Sequence, residues 1–335
     1  MALPVPTPST AVAGGKILAS DWNSAVRDAV LYLLDLQGGS GRRNLLVNGN
    51  FDIWQSGTPV AAIGSGGAWT ADQWWAKRDS NGTAVVTQKG FGDTPADSFY
   101  GARVAVTDGS AAGGVTEFLQ PIETQNAVKA AGHSVALKVR MDCTAGFSPA
   151  DQELGVEVIT GTGSDQNINS GWTGLATSLA TVQGLTQDAE VYTFSDIPIP
   201  ADAREIAVRF FWTNVGVASD DGVTIYNVQL SIGAAALFEN TPAQQVLAEC
   251  ERHYQTGTNF WGGYASTGVG CGHEYDLLTS MRTAPTLAGV NTQNVAFGTG
   301  VVSTVTATTM HAVRTATSTG AGAWAETFTL DARLI

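Results

Sequence analysis

Basic residues are scarce in this chain: Lys and Arg total 17 against 30 Asp and Glu, for a net charge of −13. Phosphate backbones are gripped by clustered Lys and Arg, so a nucleic-acid partner is excluded. A neutral glycan or another protein is the kind of partner such a surface allows. Apolar runs of roughly 18 residues or more, the length that crosses a bilayer as a helix, do not occur. The first residues, MALPVPTPSTAVAGGK, have no basic start and no unbroken apolar core, so they do not read as a secretory signal. Cysteine is nearly absent. Cys143, Cys250 and Cys271 are too few and too scattered for a disulfide framework or a zinc site. Three reduced, buried thiols in a protein made in a reducing cytoplasm are the expectation.

Catalytic signatures are missing too. His133, His253, His273 and His311 stand alone, with no H-E-x-x-H or H-x-H spacing. There is no nucleophile elbow, Walker loop, dinucleotide loop or fixed-period repeat. Asp220-Asp221 precedes Gly222, where a turn is expected to use them. No cofactor and no metal are expected, and the chain is expected not to be an enzyme.

What the chain does have is small and β-branched residues. Only 14% of residues are charged and Gly numbers 39, which favours short strands joined by tight turns over helical bundles. Val135, Leu137, Val139 and Met141 alternate on one strand face, and Ile206, Val208, Phe210 and Trp212 on another. Val223 and Ile225 lie in one phase while Val228, Leu230 and Ile232 lie in the other, so a β-bulge is predicted at Asn227. The stretch Asn44 to Trp75 reads as two short β runs, Leu45 to Val47 and Phe51 to Gln55, broken by Asn48-Gly49. Trp74 and Trp75, adjacent on a strand, must then point to opposite faces.

The ends are organised differently. Three prolines in PVPTP suit an extended arm, after which Trp22, Val26, Ala29, Leu33 and Leu36 recur at spacings of 4, 3, 4 and 3. That stripe is either an amphipathic helix lying on its own domain or a short parallel coiled coil. The coiled coil is preferred, because so short a helix is marginal alone. GGSGRR then reads as a linker. Further on, Thr241-Pro242-Ala243-Gln244 looks like a capping box with Pro at the first helical position, followed by Val246, Leu247, Cys250 and Tyr254 on one apolar face. The remaining residues return to short strands, and Phe328, Leu330, Ala332 and Leu334 share a face. So thin a β region buries little core alone, and association would help it. The predicted domains are 1–43 (arm and attachment helix), 44–240 (sandwich), 241–256 (linking helix) and 257–335 (a small C-terminal β domain that trimerises).

Five stretches carry a resemblance, four of them to phage virion proteins. NLLVNGNFDIWQSGT followed by TADQWW resembles the opening segment of jelly-roll domains in bacteriophage tail-fibre and related virion proteins, with Gln73 where Arg is more usual. Trp22-Asn23 through Val26-Arg27-Asp28-Ala29 is similar to attachment segments of phage virion proteins. Leu247 to Tyr254, with His253 in place of a Tyr, and Met281-Arg282-Thr283-Ala284-Pro285-Thr286-Leu287 resemble features that follow the jelly roll in that family. The closing strand GVTIYNVQLSIG is similar to that of carbohydrate-binding jelly rolls, with Asn227 in place of Asp. In such modules a structural calcium often sits between the position of Asp52 and that of Asn227; with a neutral amide at Asn227 no calcium is expected here. The resemblance implies a mainly β fold: an N-terminal oligomerisation helix, a jelly-roll sandwich, a linking helix and a small C-terminal β domain. It implies a homotrimeric virion fibre or spike subunit, joined to other virion proteins by its N-terminal segment and binding host cell-surface polysaccharide. A head-fibre or decoration protein without ligand and a glycan-hydrolysing tail spike are the alternatives.

Sugar recognition by sandwiches uses aromatic rings, with amides and carboxylates bonding hydroxyls. Trp172, in a polar loop with Asp165 and Asn167, has that composition, and Trp261 with Tyr264 in NFWGGY is the second candidate. The other reading of Trp172, a ring that staples its loop to the sandwich or packs on a neighbouring subunit, is preferred.

Overall fold

Two six-stranded antiparallel sheets face each other. In spatial order the first holds β1 (Val60–Ile63), β4 (Ala84–Lys89), β5 (Gly101–Val106), β12 (Asp221–Ile232), β7 (Ser134–Cys143) and β10 (Glu190–Pro198). The second holds β2 (Ala68–Trp69), β3 (Trp75–Arg78), β6 (Val115–Ile122), β11 (Glu205–Thr213), β8 (Leu154–Gly161) and β9 (Ala176–Val182). The computed structural model describes residues 44–334 apart from 80–81, 91, 96–97, 108–112, 216–219 and 298–300. The predicted arm and oligomerisation helix, with Trp22, Val26, Ala29, Leu33 and Leu36, lie outside the described residues.

The alternating strands do what their period requires. Val135, Leu137, Val139 and Met141 on β7 and Ile206, Val208, Phe210 and Trp212 on β11 are all buried in one core between the sheets. At its centre the Trp74 indole stacks on Phe118, 4.9 Å between centroids and 10° between planes, with Phe51 5.2 Å away. Trp75 leaves the core on the opposite side, edge-on to Trp69 at 5.3 Å. Gly67 lies under that ring. A Cβ there would stand 2.3 Å from the indole, and its φ of +66° independently favours glycine. The register of β12 against β7 slips between Ile225 and Val228, as the phase change at Asn227 predicts. Asp221 is a correction: it is not a turn residue but the buried first residue of β12, bonded by the Ser148 hydroxyl.

The opening segment departs from its predicted strands, since residues 44–55 enter neither ladder. Asn48 and Phe51 have φ of 53° and 58°, which no strand allows. Side-chain amides replace the ladder. Asn48 accepts from Ile53 N and donates to the carbonyls of Ile53 and Asp72, and Trp74 Nε1 donates to Asn48 O. The segment lies along the half of β12 that β5 does not reach. There Leu45 N donates to Leu230 O, Val228 N to Gly49 O, and Leu230 N to Asn44 Oδ1.

The linking helix spans Ala243–Glu251 and buries Val246 and Cys250. The predicted capping box is not formed. Pro242, with ψ of 136°, is the extended residue before the helix, so Thr241 falls one position short and no side-chain cap forms. Two three-stranded sheets follow: β13 (Tyr254–Ala265), β18 (Gly320–Asp331) and β15 (Thr286–Val295), then β14 (Gly270–Asp276), β17 (Thr309–Thr315) and β16 (Val301–Val305). Their cores are small. One gathers around Trp324 and the other around Phe328, Leu330 and Ala332. Leu334 is buried as well, past the end of the strand.

The sandwich and the C-terminal sheets belong to one compact unit. Arg252 pairs with Glu123, Gln55 Nε2 donates to Tyr254 O, and the Arg333 guanidinium lies over the rings of Trp69 and Tyr254. All three cysteines are buried, and none forms a disulfide.

Candidate functional site

Three features converge beside the β12 bulge. The opening segment supplies Asn50 and Asp52, the stretch before β5 supplies Ser98 and Phe99, and the chain leaving β12 supplies Phe238, Glu239 and Asn240. Asn227, the residue that the bulge displaces, completes a pocket of about 260 Å³. Gly49 fixes how closely the first of these walls approaches β12, because a Cβ there would stand 2.2 Å from Val228 O. The last wall is tied down in turn. Glu239 N donates to Gln229 Oε1, Asn44 N donates to Glu239 Oε2 at 2.8 Å, and Asn50 Nδ2 donates to Glu239 O.

Polar atoms in this pocket are left without protein partners. The Ser98 side chain is 5% exposed and its hydroxyl has no hydrogen bond. Asp52 is half-buried, and burial alone pushes its carboxyl above the usual range, with no cation or donor to offset it. Buried polar groups are nearly always bonded, so orphaned ones lining a cavity are places for a ligand to complete. Phe99 is 64% exposed at the rim. The Phe238 ring is half-buried and carries the Lys138 ammonium 4.6 Å from its centroid. Rings beside an unpaired hydroxyl and an unpaired carboxylate, with amide side chains alongside, are what one sugar unit requires: C–H faces against the rings, hydroxyls on the polar atoms.

The positions that the resemblance connects to calcium, Asp52 and Asn227, do meet in this pocket. Among the described residues, however, no group of three or more His, Cys, Asp or Glu gathers for a metal. No step is assigned to an ion.

The residues singled out by sequence lie elsewhere. Trp172 is 7% exposed, packed on Ile159 and Ala207 outside the main core, and its Nε1 donates to Gln166 O. It staples its loop and offers no open ring face, which corrects its place as a glycan platform. The polar residues around it bond one another: Gln166 holds Thr173 through both ends of its amide, and Asn167 accepts from Asn169 N. Asp165 accepts from Thr124 N and pairs with Arg282 at 3.1 Å, so it joins the sandwich to the C-terminal sheets. Trp261 turns inward, edge-on to Phe297 at 5.1 Å, whereas Tyr264 is 74% exposed. The structure therefore brings neither candidate pair into the pocket. Of its lining residues, Asn50, Ser98, Phe99, Phe238, Glu239 and Asn240 were not anticipated. The one local signal was Phe238-Glu239-Asn240, an aromatic-acid-amide run just after the closing strand.

A second depression, about 310 Å³, lies on the outer face of the second sheet around Phe211, whose ring leans across Gly155. The Arg209 guanidinium nearby is satisfied internally. Arg209 bonds both Glu157 and Glu117 and lies over the Phe211 ring.

No protein-family model matches the chain, and no curated protein matches it. Among solved structures, it is similar to a family 11 carbohydrate-binding module from Clostridium thermocellum in complex with a β-1,3-1,4-mixed-linked tetrasaccharide, at 12% identity and a TM-score of 0.30, over 49% of this chain and 91% of that one. It is similar to the C-terminal family 22 carbohydrate-binding module of a Clostridium thermocellum protein, at 16% identity and a TM-score of 0.34, over 56% and 99%. It is also similar to an arabinose-bound α-L-arabinofuranosidase, at 15% identity and a TM-score of 0.36, over 64% and 30%.

Proposed function

We propose that this chain is a bacteriophage fibre or spike subunit whose sandwich binds a host-surface glycan unit at the pocket of Asn50, Asp52, Ser98, Asn227 and Glu239. The observation that carries the binding half is the pair of partnerless groups, the buried Ser98 hydroxyl and the Asp52 carboxylate, beside the Phe99 and Phe238 rings. The virion half rests on the four stretches that resemble phage virion proteins. In this reading residues 1–43 attach the chain to the particle, and three copies associate through that segment and the C-terminal sheets. The reading is of binding and not catalysis. A glycosidase uses two carboxyl groups flanking the bond it cleaves; here Glu239 is held by the Asn44 backbone N–H as a wall of the pocket, and the reading gives it a binding role.

A glycan array probed with the purified chain and with the double variant Phe99→Ala, Phe238→Ala tests it. Binding by the native chain and its loss in a variant with an unchanged circular-dichroism spectrum are expected. A blank array for the native chain would return the decoration-protein alternative. Light scattering of the full chain should give about three times the 34.8 kDa of one copy; a monomer at micromolar concentration refutes the trimer.

A further inference from the structure

The pocket has a charge bias that goes beyond glycan binding in general. Two of its eight lining residues are acidic and three are amides, and none is Lys, Arg or His. Lys138 is occupied with the Phe238 ring and with Ala236 O. An anionic sugar would therefore bring a carboxylate, sulfate or phosphate against Asp52 and Glu239 with no lining cation to receive it among the described residues. A neutral sugar can give Asp52 one hydroxyl hydrogen bond but leaves its charge uncompensated.

Resting on the glycan-binding reading above, we infer that the pocket selects a sugar unit with a free, protonated amine, a 2-amino-2-deoxyhexose, over its N-acetylated, neutral and acidic counterparts. An ammonium supplies three donors and a positive charge to a site lined by an unpaired carboxylate and three amide side chains. Glu239 adds a second negative charge at a fixed position, because Asn44 N holds one of its oxygens at 2.8 Å. Ser98 gives the site a neutral contact as well: its buried, partnerless hydroxyl can donate to or accept from a ring hydroxyl. The Phe99 ring, open at the rim, can take either the C–H face of the sugar or the ammonium itself. Burial of Asp52 with nothing to offset it is the penalty that a bound cation removes.

The experiment is calorimetric titration of the full chain with four tetrasaccharides: β-1,4-linked glucosamine, N-acetylglucosamine, glucose and galacturonate. At about pH 6 the amine, taken as similar to an α-amino group, is protonated. The glucosamine oligomer is expected to bind at least about tenfold tighter than the glucose oligomer, equivalent to about 1.4 kcal/mol. The galacturonate oligomer is expected not to bind. Asp52→Asn should cut the ratio of glucosamine to glucose affinity by at least about threefold, the Glu239 charge keeping the remainder. Equal affinity for the two in the native chain, with binding still lost on Phe99→Ala, overturns the amine preference and leaves the glycan reading standing. A preference undiminished in Asp52→Asn also overturns it, since the unpaired carboxylate would then not be its source. If no oligomer binds, the glycan reading falls and the inference falls with it.

Discussion

Gly49→Ala is the most demanding test of how the pocket is held. The added Cβ would stand 2.2 Å from Val228 O and 2.9 Å from Asn44 Nδ2. Neither is the far end of a flexible chain: one is strand backbone, and the other is an amide already donating to that same carbonyl at 2.8 Å. To reach ordinary contact the opening segment must retreat from β12 by roughly 1 Å. That retreat stretches three hydrogen bonds: Val228 N to Gly49 O at 2.9 Å, Asn44 Nδ2 to Val228 O, and Leu230 N to Asn44 Oδ1 at 3.0 Å. At about 1 kcal/mol each, with an overpacking term of about 1–3 kcal/mol, the expected loss is about 4–6 kcal/mol. That is a large fraction of the roughly 5–15 kcal/mol that holds a domain folded. Asn50 and Asp52 ride on the same segment, so a partial retreat also widens the pocket. Urea denaturation measures the first effect and titration with a bound glycan the second. A loss below about 1 kcal/mol with unchanged sugar affinity would refute the reasoning, because it would mean that the segment is not seated against β12 as described.

Three further outcomes are expected. Burial and the neighbouring Arg282 and Arg252 push His253 down to about 3, while an unfolded imidazole takes its proton near 6.5. Between those values the unfolded state binds more protons, so folding stability falls as pH falls, by up to about 1.4 kcal/mol per pH unit. His253→Gln should flatten that acid limb, and identical slopes in urea titrations at pH 4–6 would contradict it. Trp172→Ala should cost about 3–5 kcal/mol through lost packing and the lost bond to Gln166 O, yet leave glycan binding within twofold, a prediction that loss of binding in a folded variant would reject. Arg282→Ala removes the ion pair to Asp165 and the bond to Ala332 O. It should speed proteolysis between sandwich and C-terminal sheets and lower stability by about 1–2 kcal/mol; an unchanged cleavage pattern counts against a joining role.

Much of the sandwich could be read from the sequence because burial imposes a period. Val135 to Met141 and Ile206 to Trp212 alternate since each strand has one wet face, and the bulge at Asn227 announces itself as a break in that alternation. The opening segment could not be read so. Its hydrophobics look like a broken strand, but its backbone groups are bonded by Asn44, Asn48 and Asp72 side chains, whose partners lie up to 186 positions away. The pocket was hidden for the same reason, as its walls come from four separate stretches of chain. Trp172 shows the converse ambiguity. Polar neighbours around an indole fit a binding loop as well as a staple, and only the structure shows Asp165, Gln166 and Asn167 using their hydrogen bonds to hold the loop and the C-terminal sheets.

That difference explains what the long opening motif is for. Its asparagines and Gly49 seat the segment on the closing strand, and Asn50 and Asp52 wall the pocket. Three residues further on, Gln55 bonds Asp72 and reaches Tyr254 O at the start of the C-terminal sheets. One short stretch thus touches the sandwich, the candidate site and the next domain, each through side chains of fixed length and hydrogen-bonding type. A segment under so many geometric demands carries a recognisable sequence whatever ligand the protein takes. Motif resemblance here therefore reports architecture. Specificity has to be written in the residues that the motif leaves free, and those are the Ser98-Phe99 and Phe238-Glu239-Asn240 walls, where the variants described above act.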